Sequence, residues 1–434
     1  MVPPVDDTNL SNAPENEELY QQRLLVCLDR ANMTNYFTQE GLLDTALDNV
    51  KYTVNTIHQF IPTKFSKRFH CSCWKSDLGL TIENSTIQGH FGQFTFQGNT
   101  ALELLALQKF KFRVGGNYST HFSCLPEVFL AGFPKCGSTF LHALLTSYPA
   151  VVESLVKEPH WWERAMSFNQ SKVEVAVHLS NYLINFAPLV RRLNLAHELH
   201  VLSVDATPSL MFDWPKFPNQ DWRTNFCLLP TVLPSVVQNS KFIVVMRNPV
   251  SMLYSAFWHS CTRHKQTVLP DFQMRGPSIF HERIKAKILD FNSCMEHFPL
   301  AKCVMDATPN LYTSELPHCG RTRLEMGIYF VHVQKWLSIV PKEKFLFLTL
   351  EELSSQTEKV ANQIWRFLNV SVSSKTFQRA MRRYTQSMHV QQSVDYHHNP
   401  QLVMRNDTKE LLLHFFKPYN KKLAELVGDQ KFLW

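Results

Sequence analysis

The chain has 434 residues, of which 44% are hydrophobic and 12% aromatic, and this composition excludes a generally disordered protein. Its formal net charge of +7 suits an anionic ligand, although a solvated basic surface is the commoner cause of such an excess. The sequence contains no zinc-finger spacing, basic-region heptads or RNA-binding signature, so nucleic acid is not a favoured partner.

The first part of the chain carries no recognisable chemistry. Residues 1–20 are polar and acidic and contain prolines, which predicts a disordered tail. Residues 21–126 mix helical and extended patterns, with helices predicted over 42–57 and 101–110. We therefore treat 21–126 as an N-terminal extension of unknown role.

The cysteines and glycosylation sequons indicate an oxidising compartment. Four of the ten cysteines, Cys261, Cys294, Cys303 and Cys319, predict a disulfide-stapled insertion. The Asn-x-Ser/Thr sequons begin at Asn9, Asn32, Asn84, Asn117, Asn169, Asn369 and Asn406. A signal peptide does not follow Met1, and no run of about 18 apolar residues occurs, so we expect the sequence to be truncated at its start.

Metal binding is not predicted, because the cysteines form no Cys-x-x-Cys pair. Cys71 and Cys73, preceded by His70, offer one weak alternative. Disulfide or buried thiol use is the preferred interpretation of these two cysteines.

From Val128 onward, short apolar runs alternate with helical patterns. Strands are predicted at 128–131, 200–204, 242–246 and 345–350, and a helix at 357–368. Strands that alternate with helices form parallel sheets that are covered on both faces. The sequence thus predicts an α/β fold over 127–434, with a P-loop-like central parallel sheet flanked by helices.

The loop after the first of these strands, Gly132–Thr139, is a candidate anion site. The first N–H groups of the following helix lack internal partners, and the helix dipole adds positive charge. Gly137 lets the backbone approach a ligand, Lys135 supplies a full charge, and Ser138 and Thr139 are expected to cap the helix.

The spacing of this loop differs from that of a Walker A motif. Gly132 and Gly137 have the right separation, but Ser138 stands where the Walker lysine belongs and the lysine is Lys135. A nucleoside triphosphatase is therefore disfavoured. An ordinary strand–helix turn with a surface lysine remains the alternative.

A second strand–helix unit offers another anion contact. Arg247 follows the strand over 242–246, at the sheet edge where open α/β proteins bind ligands. Asn248 suits the N-cap and Pro249 the first helical turn. Ser255 lies close enough to Arg247 to share one ligand phosphate, unless the arginine is purely structural.

Together these residues resemble the carbohydrate sulfotransferases that use 3′-phosphoadenosine 5′-phosphosulfate (PAPS). Gly132–Phe140 is similar to the family's 5′-phosphosulfate loop, and Arg247–Ser255 to its 3′-phosphate motif. Lys157–Trp162 resembles the K-E-x-H segment of the carbohydrate branch, and 415–429 its C-terminal helix. The resemblance covers about residues 127–434 and is strongest to enzymes that sulfate the 6-hydroxyl of N-acetylgalactosamine 4-sulfate in chondroitin sulfate.

The resemblance implies roles on the donor side of the site. Lys135 contacts the 5′-phosphosulfate and stabilises the leaving oxygen, while Arg247 and Ser255 hold the 3′-phosphate. Further 5′-side contacts come from Cys136, Gly137, Ser138, Thr139 and Phe140. Cys136 is expected to be a reduced thiol. One departure concerns Met252, which replaces the family's second arginine.

On the acceptor side, the resemblance implies Glu158 as the general base, with His160 as an orienting or secondary group. In an extended segment these two side chains face the same side. A salt-bridged structural pair is the alternative.

Other residues carry weaker expectations. Asp205, Thr207 and Ser209 are candidates for lining the acceptor cleft, with a purely structural role as an equal alternative. Trp161 and Trp162 are expected to stack on sugar rings, unless they belong to the core.

The preferred function is sulfuryl transfer from PAPS to a sulfated glycosaminoglycan in the Golgi lumen. The protein would be a type II membrane protein whose anchor is absent from this sequence, or a secreted form. A non-catalytic glycan-binding protein on the same scaffold is the alternative, with Met252 as its support. A nucleotide kinase is disfavoured by the displaced lysine.

Overall fold

The structure is a computed structural model. It describes residues 17–62, 65, 71–83, 86–89, 92–93, 118–165, 172–196, 201–213, 225–262, 270–306, 323–390 and 402–434. The helix predicted over 101–110 lies outside these residues.

The strands of the described residues form two separate sheets. In chain order they are β1 (Cys73–Glu83), β2 (Thr86–Gly89), β3 (Gly92–Gln93), β4 (Tyr118–Cys124), β5 (Val128–Gly132), β6 (Val151–Val152), β7 (Leu202–Asp205), β8 (Lys241–Met246) and β9 (Phe345–Thr349).

The helices surround these sheets. They are α1 (Glu17–Arg30), α2 (Thr34–Gln39), α3 (Leu43–Ile57), α4 (Ser138–Thr146), α5 (Lys172–Ile184), α6 (Ala187–Ala196), α7 (Leu228–Val236), α8 (Pro249–Thr262), α9 (Pro270–His297), α10 (Leu300–Asp306), α11 (Tyr329–Leu337), α12 (Leu350–Ser355), α13 (Thr357–Leu368), α14 (Ser374–Val390) and α15 (Asn406–Val427). Within the described ranges, no helix is long and apolar enough to cross a membrane.

The larger sheet has the order β6-β7-β5-β8-β9, and all its neighbouring strands run parallel. Every residue of β5 is buried, as expected for a strand with both faces covered. The predicted α/β fold is confirmed, with strand bounds within two residues of the predicted ones for β5, β7, β8 and β9. The two-residue strand β6 was not predicted, because so short a run carries no periodicity.

A row of aromatic rings runs across β5, β8 and β9 of this sheet. Phe129 of β5 pairs with Phe242 of β8, which in turn pairs with Phe345 of β9. Their rings stack with centroids 5.5 and 5.0 Å apart. Such pairs favour one register over a slipped one, since a shift of one residue would turn each ring to the opposite face.

The N-terminal helices are part of the main core. α3 packs on α7, and α1 packs on α3, α7 and α11. Buried side chains of α1, among them Leu24 and Leu28, belong to the same apolar cluster as the parallel sheet. A disulfide joins Cys27 of α1 to Cys227, just before α7. The helix α1 begins at Glu17, inside the span 1–20 for which a tail was predicted.

The smaller sheet is antiparallel, with the order β3-β2-β1-β4. Cys73 and Cys124 face each other in the β1–β4 register and form a disulfide. The sulfur of the free cysteine Cys71 lies 3.1 Å from that of Cys73, and all three sulfurs lie within 4.8 Å of one another. The disulfide leaves one thiol in the cluster, which supports the disulfide and thiol interpretation over a metal site.

The predicted disulfide-stapled insertion is observed in part. Cys294 near the end of α9 is bonded to Cys303 of α10. The side chains of Cys261 and Cys319 lie outside the described residues. Among the sequons, Asn32, Asn369 and Asn406 are exposed, and the others also lie outside the described residues.

Candidate active site

Lys135 and Arg247, two of the predicted donor-binding residues, lie at the same end of the parallel sheet. β5 is the middle strand, flanked by β7 on one side and β8 on the other. The Lys135 loop follows β5, Arg247 follows β8, and Asp205 ends β7. Because the strands are parallel, all three positions lie at their carboxyl ends. The chain continues from β5 to β6 on one side and from β8 to β9 on the other. Open α/β sheets bind ligands at such a point.

Glycine conformation shapes the loop after β5. Gly137 has φ +92° and is the N-cap of α4. A Cβ atom at this position would lie 2.6 Å from Leu350 Cδ1, so only glycine fits without a shift. The predicted capping by Ser138 and Thr139 is wrong, since α4 already begins at Ser138 and no side chain caps it. The unpaired N–H groups of this turn are therefore left for a ligand.

Lys135 lies in a cluster of cations beside this loop. Burial lowers the pKa of the Lys135 ammonium, and the positive charges of Arg247 and Lys157 lower it further. Its backbone has φ +63°, a conformation that L-residues adopt at a cost. A half-buried site that holds several cations together is organised to receive a polyanion.

The Arg247 segment folds as predicted at its cap. Asn248 Oδ1 accepts a hydrogen bond from the Val250 amide at 3.0 Å, and α8 begins at Pro249. Ser255 is half-buried in the second turn of that helix. Met252, at the position of the family's second arginine, is completely buried, so this position packs into the core.

Cys136 is a buried free thiol, as predicted. Burial raises its pKa to about 12, although the charge of Arg247 acts in the opposite direction. The thiol therefore stays protonated at physiological pH and is no nucleophile.

Lys157 connects the donor loop to the predicted base. Its Nζ lies 3.4 Å from Ser138 Oγ and also forms a short ion pair with Glu158 Oε1. Its backbone carbonyl accepts from the Ala206 amide at 3.1 Å, which ties this segment to the chain beyond β7. The carboxylate of Glu158 is thus separated from the start of α4 by one ammonium group.

His160 lies between two carboxylates. Its Nε2 is 3.5 Å from Glu158 Oε2, and its Nδ1 is 2.6 Å from Glu163 Oε1. The backbone of His160 is left-handed, with φ +56°. His160 itself therefore departs from the expected extended conformation, but its side chain and that of Glu158 lie on the same side, as expected.

The surroundings of Glu158 keep it ionised. Burial opposes ionisation of this carboxyl, but hydrogen bonds from His160 and Lys157 and the charge of Lys157 outweigh it. Together they lower the pKa of Glu158 from 4.5 to about 2. The side chain is therefore a carboxylate, able to accept a proton, at any physiological pH.

A buried network of hydrogen bonds packs against the segment that carries Glu158 and His160. Thr207 Oγ1 donates to Asp205 Oδ1 at 2.6 Å, and Tyr182 donates to Asp205 Oδ2 at 2.8 Å. Ser209 Oγ donates to Glu163 Oε1 at 2.7 Å. Asp205, Thr207 and Ser209 are each only 2% exposed, so the expectation that they line the cleft is wrong. Instead, they form hydrogen bonds within the buried network that contacts His160 and Glu163.

Burial raises the pKa of Asp205 to about 6, against the opposing hydrogen bonds from Thr207 and Tyr182. Its ionised form accepts both of those hydrogen bonds, so its protonation would weaken the network.

Trp161 and Trp162 belong to the core. They are 3% and 0% exposed, and they begin a short π-helical turn, Trp161–Ala165. Trp161 stacks on Tyr182 at 5.1 Å, and Trp162 Nε1 donates to the Tyr182 hydroxyl at 2.9 Å. The expected stacking of these rings on sugars is wrong.

Three site residues were not assigned roles from the sequence. Lys157 was part of the recognised segment, yet its link to Ser138 depends on tertiary structure. Glu163 follows His160 by three residues, a spacing that would have suggested contact on a helical turn. Tyr329, whose hydroxyl contacts Cys136 and Arg247, lies in α11 and carries no local motif.

Comparisons with known proteins identify proteins to which the chain is similar. Human carbohydrate sulfotransferase 15 is 26% identical over 426 residues, covering 92% of this chain and 70% of that protein. The rat carbohydrate sulfotransferase 15 is 26% identical over 435 residues, covering 94% and 72%. A sulfotransferase crystal structure from Alicyclobacillus acidocaldarius has 17% identity and a TM-score of 0.42, covering 71% of this chain and 97% of that one.

The family comparison matches the larger part of the chain. Residues 125–413 match the sulfotransferase domain, a range that includes the Lys135 loop, the Glu158 segment and Arg247. The chain is therefore an enzyme of the sulfotransferase family.

Proposed function

We propose that this enzyme transfers a sulfuryl group from PAPS to a hydroxyl of a sulfated glycosaminoglycan. The acceptor we propose is the 6-hydroxyl of N-acetylgalactosamine 4-sulfate in chondroitin sulfate. The similarity to carbohydrate sulfotransferase 15 over more than nine-tenths of the chain supports a sugar acceptor. Residues 127–434 would carry the chemistry.

One observation carries this proposal, the position of Lys157. Its ammonium group lies between Ser138 at the start of the donor helix and the Glu158 carboxylate. An acceptor hydroxyl at Glu158 would therefore be within reach of a sulfuryl group held at the helix N-terminus. Sulfuryl transfer is an in-line displacement in which positioning and electrostatic stabilisation dominate, and this arrangement provides both.

On the donor side, the cations would bind the two ends of PAPS. The Lys135 ammonium would contact the 5′-phosphosulfate and stabilise the negative charge that develops on the bridging oxygen. Arg247 and Ser255 would hold the 3′-phosphate. Cys136 to Phe140 would complete the 5′ side with backbone and hydroxyl contacts. The N–H groups of Gly137 to Phe140 would contribute most, because the Cys136 amide already donates to the Phe133 carbonyl at 3.3 Å. Phe140 is 39% exposed on this first turn of α4.

On the acceptor side, Glu158 would take the hydroxyl proton as the oxygen attacks sulfur. The oxygen–sulfur bond to the acceptor forms, and the bond between sulfur and the bridging oxygen breaks, with that electron pair leaving on the 5′-phosphate of the nucleotide. His160, held by Glu163, would orient Glu158 and offer a path for the proton. Binding of the donor sulfate by Lys157 would weaken the Lys157–Glu158 ion pair and make Glu158 a stronger base.

The disulfides support a lumenal location. Cys27–Cys227, Cys73–Cys124 and Cys294–Cys303 would persist in an oxidising compartment. We propose the Golgi lumen, where the chain would belong to a type II membrane protein or to a form secreted from it.

The direct test uses PAPS labelled with ³⁵S, mixed with the protein and either desulfated or 4-sulfated chondroitin. We expect label in the polysaccharide, with greater incorporation into the 4-sulfated acceptor. Binding of 3′-phosphoadenosine 5′-phosphate (PAP) is measured in parallel by calorimetry. Binding of PAP without transfer to any glycan would favour the non-catalytic glycan-binding protein, for which the buried Met252 is the supporting observation.

The base assignment predicts the effect of Glu158→Gln. Glutamine keeps the size of the side chain but cannot accept the proton, so we expect kcat to fall by about 100-fold or more. PAP affinity should change little, because the carboxylate is assigned to the acceptor. Glu153→Gln, an exposed position on the same segment, is the matched control and should behave as wild type. Full activity in Glu158→Gln would refute the assignment.

A further inference from the structure

We propose that Tyr329 is a positioning residue that holds the two donor-binding segments in register. This inference rests on the proposed function, because it concerns the binding of PAPS. The Tyr329 hydroxyl donates to the Arg247 backbone carbonyl at 3.0 Å and lies 3.5 Å from Cys136 Sγ. One side chain thus touches the phosphosulfate loop and the residue assigned to the 3′-phosphate.

The direction of the hydrogen bonds follows from the available protons. Tyr329 has one hydroxyl proton, which is directed to the Arg247 carbonyl, so the Cys136 thiol donates to the Tyr329 oxygen. Burial raises the pKa of Tyr329 well above its usual value and that of Cys136 to about 12. Both groups therefore keep their protons, and the chain from Cys136 through Tyr329 to Arg247 persists across physiological pH.

The ring itself is fixed. Tyr329 is 1% exposed, and its ring centroid lies 4.5 Å from that of Phe133 in the loop after β5 and 5.9 Å from that of Trp434. It is the first residue of α11, so its backbone is anchored at a helix start. Because the ring cannot move, its hydroxyl holds Cys136 and the Arg247 backbone at a fixed separation.

The contact lies where the sheet no longer joins the two segments. The β5–β8 ladder ends at the pair Gly132–Val244, followed by one hydrogen bond from the Phe133 amide to the Val245 carbonyl. Beyond it the ladder has no further pair. The nucleotide is a single ligand with phosphates at both ends, so its affinity depends on the spacing of the Lys135 and Arg247 segments. Holding that spacing before binding lowers the entropy lost on binding.

The test compares Tyr329→Phe with Tyr148→Phe. Both changes remove a buried hydroxyl that donates to a backbone carbonyl, and Tyr148, which lies past the opposite end of α4, donates to Ser371 at 2.9 Å. We expect the Kd for PAP and the KM for PAPS to rise about fivefold in Tyr329→Phe, in line with the loss of one hydrogen bond. The acceptor KM should stay unchanged, and Tyr148→Phe should bind PAP as wild type does.

The possible outcomes separate this inference from the proposed function. Equal PAP affinity in wild type and Tyr329→Phe would overturn the inference alone, as would an equal loss in Tyr148→Phe. Failure of the wild type to bind PAP would overturn the proposed function and this inference with it. If Tyr329→Phe does not fold, Cys136→Ala removes the other donor of the chain and should raise the PAP Kd about twofold. An unchanged Kd in Cys136→Ala would then overturn the inference.

Discussion

Backbone strain at two residues coincides with the proposed chemistry. Lys135 and His160 both have positive φ, of +63° and +56°, although neither is a glycine or an asparagine. Such conformations cost about 1–3 kcal/mol each and persist only where the surroundings enforce them. Here the Cys136–Tyr329 contact lies beside one of them and the Glu163 and Ser209 contacts hold the other. The positive φ at these two positions sets the direction of the Lys135 ammonium group and of the His160 imidazole.

The environment of Lys135 predicts the pH dependence of donor binding. Burial and the charges of Arg247 and Lys157 lower the pKa of its ammonium below 10.5, and only the protonated form attracts phosphate. PAP affinity should therefore decline as the pH rises through this lowered pKa, at a lower pH than for an ordinary lysine. Calorimetry between roughly pH 7 and pH 10 measures the decline.

Lys135→Arg is the matched variant for this prediction. Arginine stays charged over the whole range, so its PAP affinity, although reduced by the different head group, should not decline with pH. The same decline in Lys135→Arg as in wild type would show that another group titrates.

At the scale of single residues, the sequence motifs identified the charged residues of the site but not the contacts between them. Lys135 and Arg247 were proposed from the spacing of their motifs and Glu158 from the family resemblance, and in the structure the charges of Arg247 and Glu158 both act on Lys135. The left-handed backbone of His160 could not be predicted, because positive φ is uncommon in non-glycine residues, even though histidine adopts it more often than most. Nor could the burial of Asp205, since a polar residue after a strand suits a cleft as well as a core network.

At the scale of elements, the parallel strands were readily predicted and the helix starts less so. β8 and α13 follow their sequence patterns closely, since continuous apolar runs and helical periodicity are strong local features. The N-cap of α4 was assigned to Ser138 or Thr139 because serine and threonine are common at N-caps. In the structure the N-cap is Gly137, where Leu350 leaves no room for a Cβ atom. That contact is between residues distant in sequence, so no local pattern records it.

Gly137 and Gly41 provide a matched pair for testing this turn. Both have positive φ, of +92° and +65°, but a Cβ at Gly41 meets nothing within 4 Å. Gly41→Ala should therefore lower the free energy of unfolding only by the cost of a left-handed backbone in alanine, about 1 kcal/mol. Gly137→Ala should cost more, because the new methyl group strikes Leu350, and should also weaken PAP binding by displacing the amides of the turn.

Urea unfolding and PAP calorimetry on both variants measure these effects. Equal stability losses in Gly137→Ala and Gly41→Ala would contradict the steric argument. Unchanged PAP affinity in Gly137→Ala would show that the amides of this turn do not bind the donor.

At the scale of the molecule, the N-terminal extension is built into the catalytic fold. The sequence predicted helix α3 but could not predict its partners, because amphipathic periodicity identifies a buried face without naming what covers it. In the structure α1 packs on α11, the helix that begins with Tyr329. Residues ahead of the family match at 125–413 thereby support an element that touches the proposed donor-binding segments.

The Cys27–Cys227 disulfide fixes this arrangement and predicts a large effect on stability. It closes a separation of 200 residues, whereas Cys294–Cys303 closes only nine. In the chain-entropy description, loss of the first should cost about 5 kcal/mol and loss of the second about 2.5 kcal/mol. Paired Cys→Ser variants at each bridge, unfolded in guanidinium chloride, measure the difference.

PAP affinity distinguishes a general loss of stability from loosening of the core around α11. If α1 supports α11, the variant lacking Cys27–Cys227 should bind PAP more weakly under conditions where it is still folded, and the variant lacking Cys294–Cys303 should not. Equal stability losses in the two variants would argue that packing alone holds α1 in place. Unchanged PAP affinity in both would mean that α11 keeps its position without the tether, because the contacts of α11 with α15 suffice.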